Sequence, residues 1–150
     1  MKEDRFLTGI LVGIALLVIA SLSVFFLRKD AQTYLPEDSP DAIIHNYIFA
    51  LQQEDYERAY VYLADEENKP TYTEFLRDVI TVSSDDVQIG DVEISEQTAS
   101  VQLILTNTSG RIFFDYYEYY ETALLVEQDG EWKILSMGYH YWYWNWYEKK

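Results

Sequence analysis

The hydrophobic pattern of the chain changes character twice along its length. Phe6 to Leu27 is a run of 22 residues without a charge, 17 of them apolar, interrupted only by Thr8, Gly9, Gly13, Ser21 and Ser23. As a helix it would be about 33 Å long, enough to cross a hydrocarbon core of about 30 Å. The pattern predicts a flank over residues 1–5 and one membrane-spanning helix over residues 6–27. Lys2 and Arg5 precede the run and Arg28 and Lys29 follow it. A cleaved signal peptide is the competing reading, because Ser21-Leu22-Ser23 is a small-x-small pattern. Against it, Val24 to Leu27 prolong the apolar run beyond that point.

After a linker over residues 28–38 the period becomes helical. Ser39 and Pro40 read as N-cap and first helical residue, and Asp41 suits the positive end of a helix dipole. Ile44, Tyr47, Ile48 and Leu51 fall at i, i+3, i+4 and i+7, one apolar face of a helix ending near Gln53. Asp55 caps a second, short helix with Ala59, Tyr60 and Leu63 inward. Thr71-Tyr72-Thr73-Glu74 has capping-box spacing, and Phe75, Leu76 and Val79 supply the apolar side of a third helix.

From Val87 the runs become short and rich in β-branched residues. Val87–Ile94 is a first strand with Gly90 as a bulge; Ala99–Thr106 is a second, with Val101, Leu103 and Leu105 on one face. A turn at Asn107 to Gly110 leads into a long third strand, Arg111–Gln128. Asp129-Gly130 is the strongest hairpin signal, and Glu131-Trp132-Lys133-Ile134-Leu135 opens a fourth strand. Helices followed by antiparallel strands predict an α+β domain whose curved sheet buries one face under the helices.

Composition narrows the function classes. The 150 residues carry 26 acidic and 11 basic groups, a net charge of −15, yet 25 aromatic residues make disorder a poor explanation of the acidity. Residues 30–150 hold 24 acids and seven bases, a balance of −17. Nucleic acid is excluded as a partner by this shortage of Lys and Arg. Zero cysteines exclude disulfides, thiolate metal sites and cysteine nucleophiles. Asp85, Asp86 and Asp91 match no calcium-loop spacing, and no histidine cluster, HExxH, GxSxG or phosphate loop is present. No metal and no cofactor are expected.

Two local features invite partners. Gly9 and Gly13 form a GxxxG pattern within the span, suited to close helix packing with a membrane protein or a second copy. Tyr139 to Tyr147 is an aromatic run that reads as an extension of the last strand over residues 139–150. As a strand it places Tyr139, Tyr141, Tyr143 and Tyr147 on one side and His140, Trp142, Trp144 and Trp146 on the other. One reading closes the core with this strand; another makes Tyr141, Trp142, Tyr143, Trp144, Trp146 and Tyr147 a partner-binding surface; a third sets the aromatics against the membrane interface, a sugar or another planar ligand.

The elements Ser39 to Tyr47, Glu54-Asp55-Tyr56-Glu57-Arg58-Ala59-Tyr60 with Leu63, Thr73-Glu74-Phe75 and Asp129-Gly130-Glu131-Trp132-Lys133-Ile134 together resemble the NTF2-like superfamily, over residues 39–138. The resemblance implies an NTF2-like, cystatin-like cone of three helices on a curved four-stranded antiparallel sheet. It is similar in particular to bacterial members tethered by one N-terminal span, which implies an extracytoplasmic domain and a cytoplasmic N-terminus. The count of two Lys/Arg on each side of the span decides nothing, while repulsion from an anionic cytoplasmic leaflet agrees with the outward placement. Enzymes of the superfamily place Asp, His and Tyr groups inside the cone. The matching candidates here are Asp115 with Tyr117 or Tyr119, while His45 and His140 read as structural. The expected function is a non-catalytic accessory or interaction subunit of a membrane complex, with a membrane protein or a second copy as partner. The alternatives are a small-molecule-binding or isomerase-type cone and a self-pairing homodimer.

Overall fold

The computed structural model describes residues 3–29, 33–79, 86–107 and 117–148, and the chain divides into two units, Met1–Thr33 and Tyr34–Lys150. The first is a single helix, α1, Glu3–Lys29. Its window Leu7–Val24 has a mean hydropathy of 2.5 and none of it is buried. The Ser23 hydroxyl donates to the Ile19 carbonyl at 2.8 Å, so this polar group is satisfied within the helix itself. Nothing lies within 4 Å of where a Cβ would stand on Gly9 or Gly13.

The second unit begins with three helices: α2 over Pro40–Gln52, α3 over Tyr56–Val61 and α4 over Tyr72–Val79. Local chemistry starts each one. Pro40 is the first residue of α2 and follows an extended Ser39, whose side chain makes no capping bond. Asp55 accepts from the Arg58 amide at the start of α3. At α4 the Thr71 amide donates to the Glu74 carboxylate at 2.9 Å, and the Glu74 amide donates back to the Thr71 hydroxyl at 3.4 Å, the expected capping box.

Four strands follow: β1 Asp86–Ser95, β2 Thr98–Asn107, β3 Tyr117–Gln128 and β4 Glu131–Ser136. They pair antiparallel in the order β1-β2-β3-β4. The β1/β2 register slips between Ile89 and Val92, around the expected bulge at Gly90. Asp129 and Gly130 both adopt positive φ, as a tight hairpin with the native strand twist requires. The outer edge of β4 is covered by the chain after α3: the Ile134 amide donates to the Tyr62 carbonyl, and the Ala64 amide to the Ile134 carbonyl, both at 2.8 Å.

Period-2 alternation decides which sheet face enters the core. Val101, Leu103 and Leu105 on β2 and Ala123 and Leu125 on β3 are buried, and α2 lays Ile44, Tyr47 and Ile48 into the same cluster. Leu103 pairs with Glu121 and Leu105 with Tyr119, so those two β3 residues point to the core side.

One sequence expectation is corrected. Over its described part, residues 139–148, the expected extension of the last strand is absent: β4 ends at Ser136 and the chain beyond runs through turns. A continued strand would leave one row of large aromatics in water, whereas the turns fold several of them inward. The ends of the expected linker, residues 28–38, are described. Arg28 and Lys29 finish α1, and Tyr34 to Glu37 bond to the helical layer of the domain.

Candidate functional site

Of the expected proton-transfer residues, Asp115 lies outside the described residues, and of Tyr117 only the backbone, at the start of β3, is described. Tyr119 is on the core side of the sheet but half exposed. The Asp115–Tyr constellation therefore lies outside the described residues. Among the described residues another pair comes together. His140 Nδ1 lies 3.1 Å from Glu121 Oε1, both side chains largely withdrawn from solvent.

The geometry around this pair is tight. Glu121 enters from β3, two residues after Tyr119 on the same face, while His140 arrives from the turn after β4. Glu121 Oε2 is buried and accepts no hydrogen bond. It packs on Gly138, where an added Cβ would overlap the carboxylate. A carboxylate with one oxygen on an imidazole and the other unsolvated is a group that can exchange a proton with its neighbour. Alternation along β3 already placed Glu121 beside Tyr119. What linear reading lacked was any signal that His140 would turn back onto β3.

The six aromatics expected as a partner surface divide. Tyr141, Trp142 and Trp146 are 1%, 5% and 5% exposed and belong to the core. Tyr143 and Tyr147 are half-buried against it, and of the six only Trp144, at 60%, is largely exposed. Tyr139, outside that set, is 77% exposed. The inward members pack as rings on rings. Trp142 and Trp146 meet edge to face at 4.9 Å, Trp146 lies 5.2 Å from Phe75 of α4, and Trp142 lies 6.2 Å from Tyr47 of α2.

Polar contacts fix the same segment. The buried Tyr47 hydroxyl donates to the Tyr141 carbonyl at 2.9 Å, and the Tyr147 hydroxyl to the Ala64 carbonyl. Burial pushes both phenols well above the ordinary tyrosine range. Trp146 Nε1 donates to Asp78 Oδ2 at 3.3 Å, while Arg77 holds both carboxylate oxygens of Asp78. A cavity of ≈ 30 Å³ beside Asp78, Asn145 and Trp146 has room for about one water. Among the described residues no group of three or more His, Asp or Glu could hold a metal ion. His45 is half-buried and stacks on Phe49 with ring centroids 6.2 Å apart.

No family model matches the chain, and no curated protein matches it significantly. Solved structures do share its architecture. A SEC-C motif containing protein from Rhodopseudomonas palustris superposes with a TM-score of 0.53 at 13% identity, covering 69% of this chain and 80% of that one. An NTF-2 like protein of unknown function from Shewanella oneidensis gives 0.46 at 15% identity, over 69% and 97% of the two chains. A protein of unknown function with a cystatin-like fold from Nostoc punctiforme gives 0.46 at 13%, over 63% and 82%. By its own elements the chain is an α+β protein with helices on one open antiparallel sheet, and its structural neighbours include NTF2-like and cystatin-like folds.

Proposed function

We propose that this protein is a single-pass, membrane-anchored, non-catalytic interaction subunit with an extracytoplasmic domain. The observation that carries the reading is α1, apolar on every side over Leu7–Val24 and with none of that window buried. In water such a surface is strongly unfavourable, and lipid or a partner helix is what covers it. The open strip at Gly9 and Gly13 suits close approach by a second helix. In the domain, the buried polar groups Asn46, Tyr47 and Asp78 and the partly buried Tyr147 bond to backbone or structural partners, which supports a scaffold rather than a catalyst.

The test is the full chain in mild detergent, with Gly9→Ile/Gly13→Ile and Tyr139→Ala/Trp144→Ala as variants, none of which removes a core contact. Expected is a complex or dimer that one of these pairs weakens without lowering the domain's melting temperature. A lone monomer in every case sinks the subunit reading. Protease added to intact cells tests orientation: the domain is expected to be digested, and full protection would put it in the cytoplasm.

A second reading, a proton-transferring or small-molecule-binding cone, is favoured by one observation, the buried and unbonded Glu121 Oε2 beside His140. It predicts that soluble ligands perturb the His140 ring resonances in the wild type and not in Glu121→Gln. Silence across a fragment library, with the domain folded, would end it.

A further inference from the structure

Tyr34 to Glu37 precede α2, and their side chains and backbone are gripped at three points. The Arg58 guanidinium sits 3.4 Å over the Tyr34 ring, which meets Phe49 edge-on at 4.9 Å and whose hydroxyl donates to Asp55 at 3.3 Å. The fully buried Asn46 acts as a strand partner for Leu35: its Oδ1 accepts from the Leu35 amide at 2.7 Å, and its Nδ2 donates to the Leu35 carbonyl at 2.9 Å. Glu37 accepts from the Tyr62 hydroxyl at 2.7 Å and from Arg58 at 3.3 Å. Apart from the Tyr34 ring, these contacts are polar, and the salt-bridge ends are about half exposed. The core itself is built from Ile43 onward, with Tyr34 only packed against its outside.

The geometry points to a releasable latch: Tyr34–Glu37 docks on α2 and α3 outside the apolar cluster, and its release, which hands the Asn46 amide and the Tyr62 hydroxyl over to water, lengthens the tether that joins the domain to α1. Docked, only residues 30–33 separate Lys29 from the first gripped residue, a contour of at most about 18 Å. Released, the chain from Lys29 to Pro40 reaches about 40 Å. Segments held by few apolar contacts open locally while the rest of the domain stays folded. The latch itself is independent of any membrane. Its meaning as a tether rests on the proposed anchoring of α1.

Hydrogen exchange on the full chain in detergent tests the latch directly. The Leu35 amide is expected to be protected in the wild type, yet to exchange at least about tenfold faster than the Tyr47 amide inside α2. Glu37→Ala removes the Arg58 ion pair and the acceptor of the Tyr62 hydroxyl while leaving the Asn46–Leu35 bonds in place, and is expected to speed Leu35 exchange by about two- to tenfold while Tyr47 is unchanged. Asn46→Ala should speed it further, with the melting temperature followed in parallel. An unprotected Leu35 in the wild type, or Leu35 and Tyr47 moving together in Glu37→Ala, overturns the latch. Failure of the anchor is read separately, by protease and membrane fractionation, and leaves the exchange result standing.

Discussion

Gly138 and Glu121 share one small volume. A methyl group at 138 would enter the space of the carboxylate, and Glu121 cannot retreat without breaking its contact with His140. Gly138→Ala is therefore expected to destabilise the domain by about 1–3 kcal/mol, read as a shift of the urea midpoint. Glu121→Gln in the same background should recover little, because the overlap is steric. A different residue-scale dependence joins Trp146 to Asp78. Trp146→Phe keeps the ring contacts with Phe75 and Trp142 but loses the indole donor, at an expected cost of about 1–2 kcal/mol.

At the scale of elements, the aromatic segment after β4 divides into structural and free residues. Trp142→Ala should cost about 3–5 kcal/mol, since it removes ring contacts with Tyr47, Trp146 and Tyr147. Trp144→Ala should stay within about 0.5 kcal/mol. Thermal unfolding of both variants checks the contrast. Elements written in local chemistry were readable in advance: the Thr71/Glu74 box, the Asp55 cap, the Asp129-Gly130 hairpin and the stripe through Ile44, Tyr47 and Ile48. What could not be read depends on distant contacts. Nothing between Tyr139 and Tyr147 favours turns over a strand until α4 and Ala64 are in place to receive Trp146 and Tyr147. The Glu121–His140 pair spans 19 residues and exists only because that segment turns back. Tyr34 to Glu37 looked like linker for the same reason, their partners Asn46, Arg58 and Tyr62 lying 11 to 25 positions further on.

Across the whole molecule, burial of tyrosines gives stability a pH dependence at the alkaline end. The Tyr62 phenol is pushed from 10.0 up to about 12, mainly by burial and then by its bond to Glu37, and burial raises Tyr47 and Tyr147 as well. Below pH 10 these phenols are neutral in both folded and unfolded chains, so they give stability no slope. Above it the unfolded chain releases protons that the folded domain retains, and stability should fall steadily as the pH passes from 10 through 12. Denaturant midpoints taken at pH 8, about 10 and about 11.5 check the sign. Tyr62→Phe should flatten the slope.

The bond from Tyr47 to the Tyr141 carbonyl joins residues 94 positions apart, and that from Tyr147 to Ala64 joins residues 83 apart. Synthesis delivers α2 early and its aromatic packing partners late. Until the ribosome has released the chain through Tyr147, α2, α4 and the growing sheet lack Trp142 and Trp146 and present unfilled apolar surface. Completion of this domain therefore waits until the chain through Tyr147 has emerged, and the nascent chain is a natural client for chaperones during the interval.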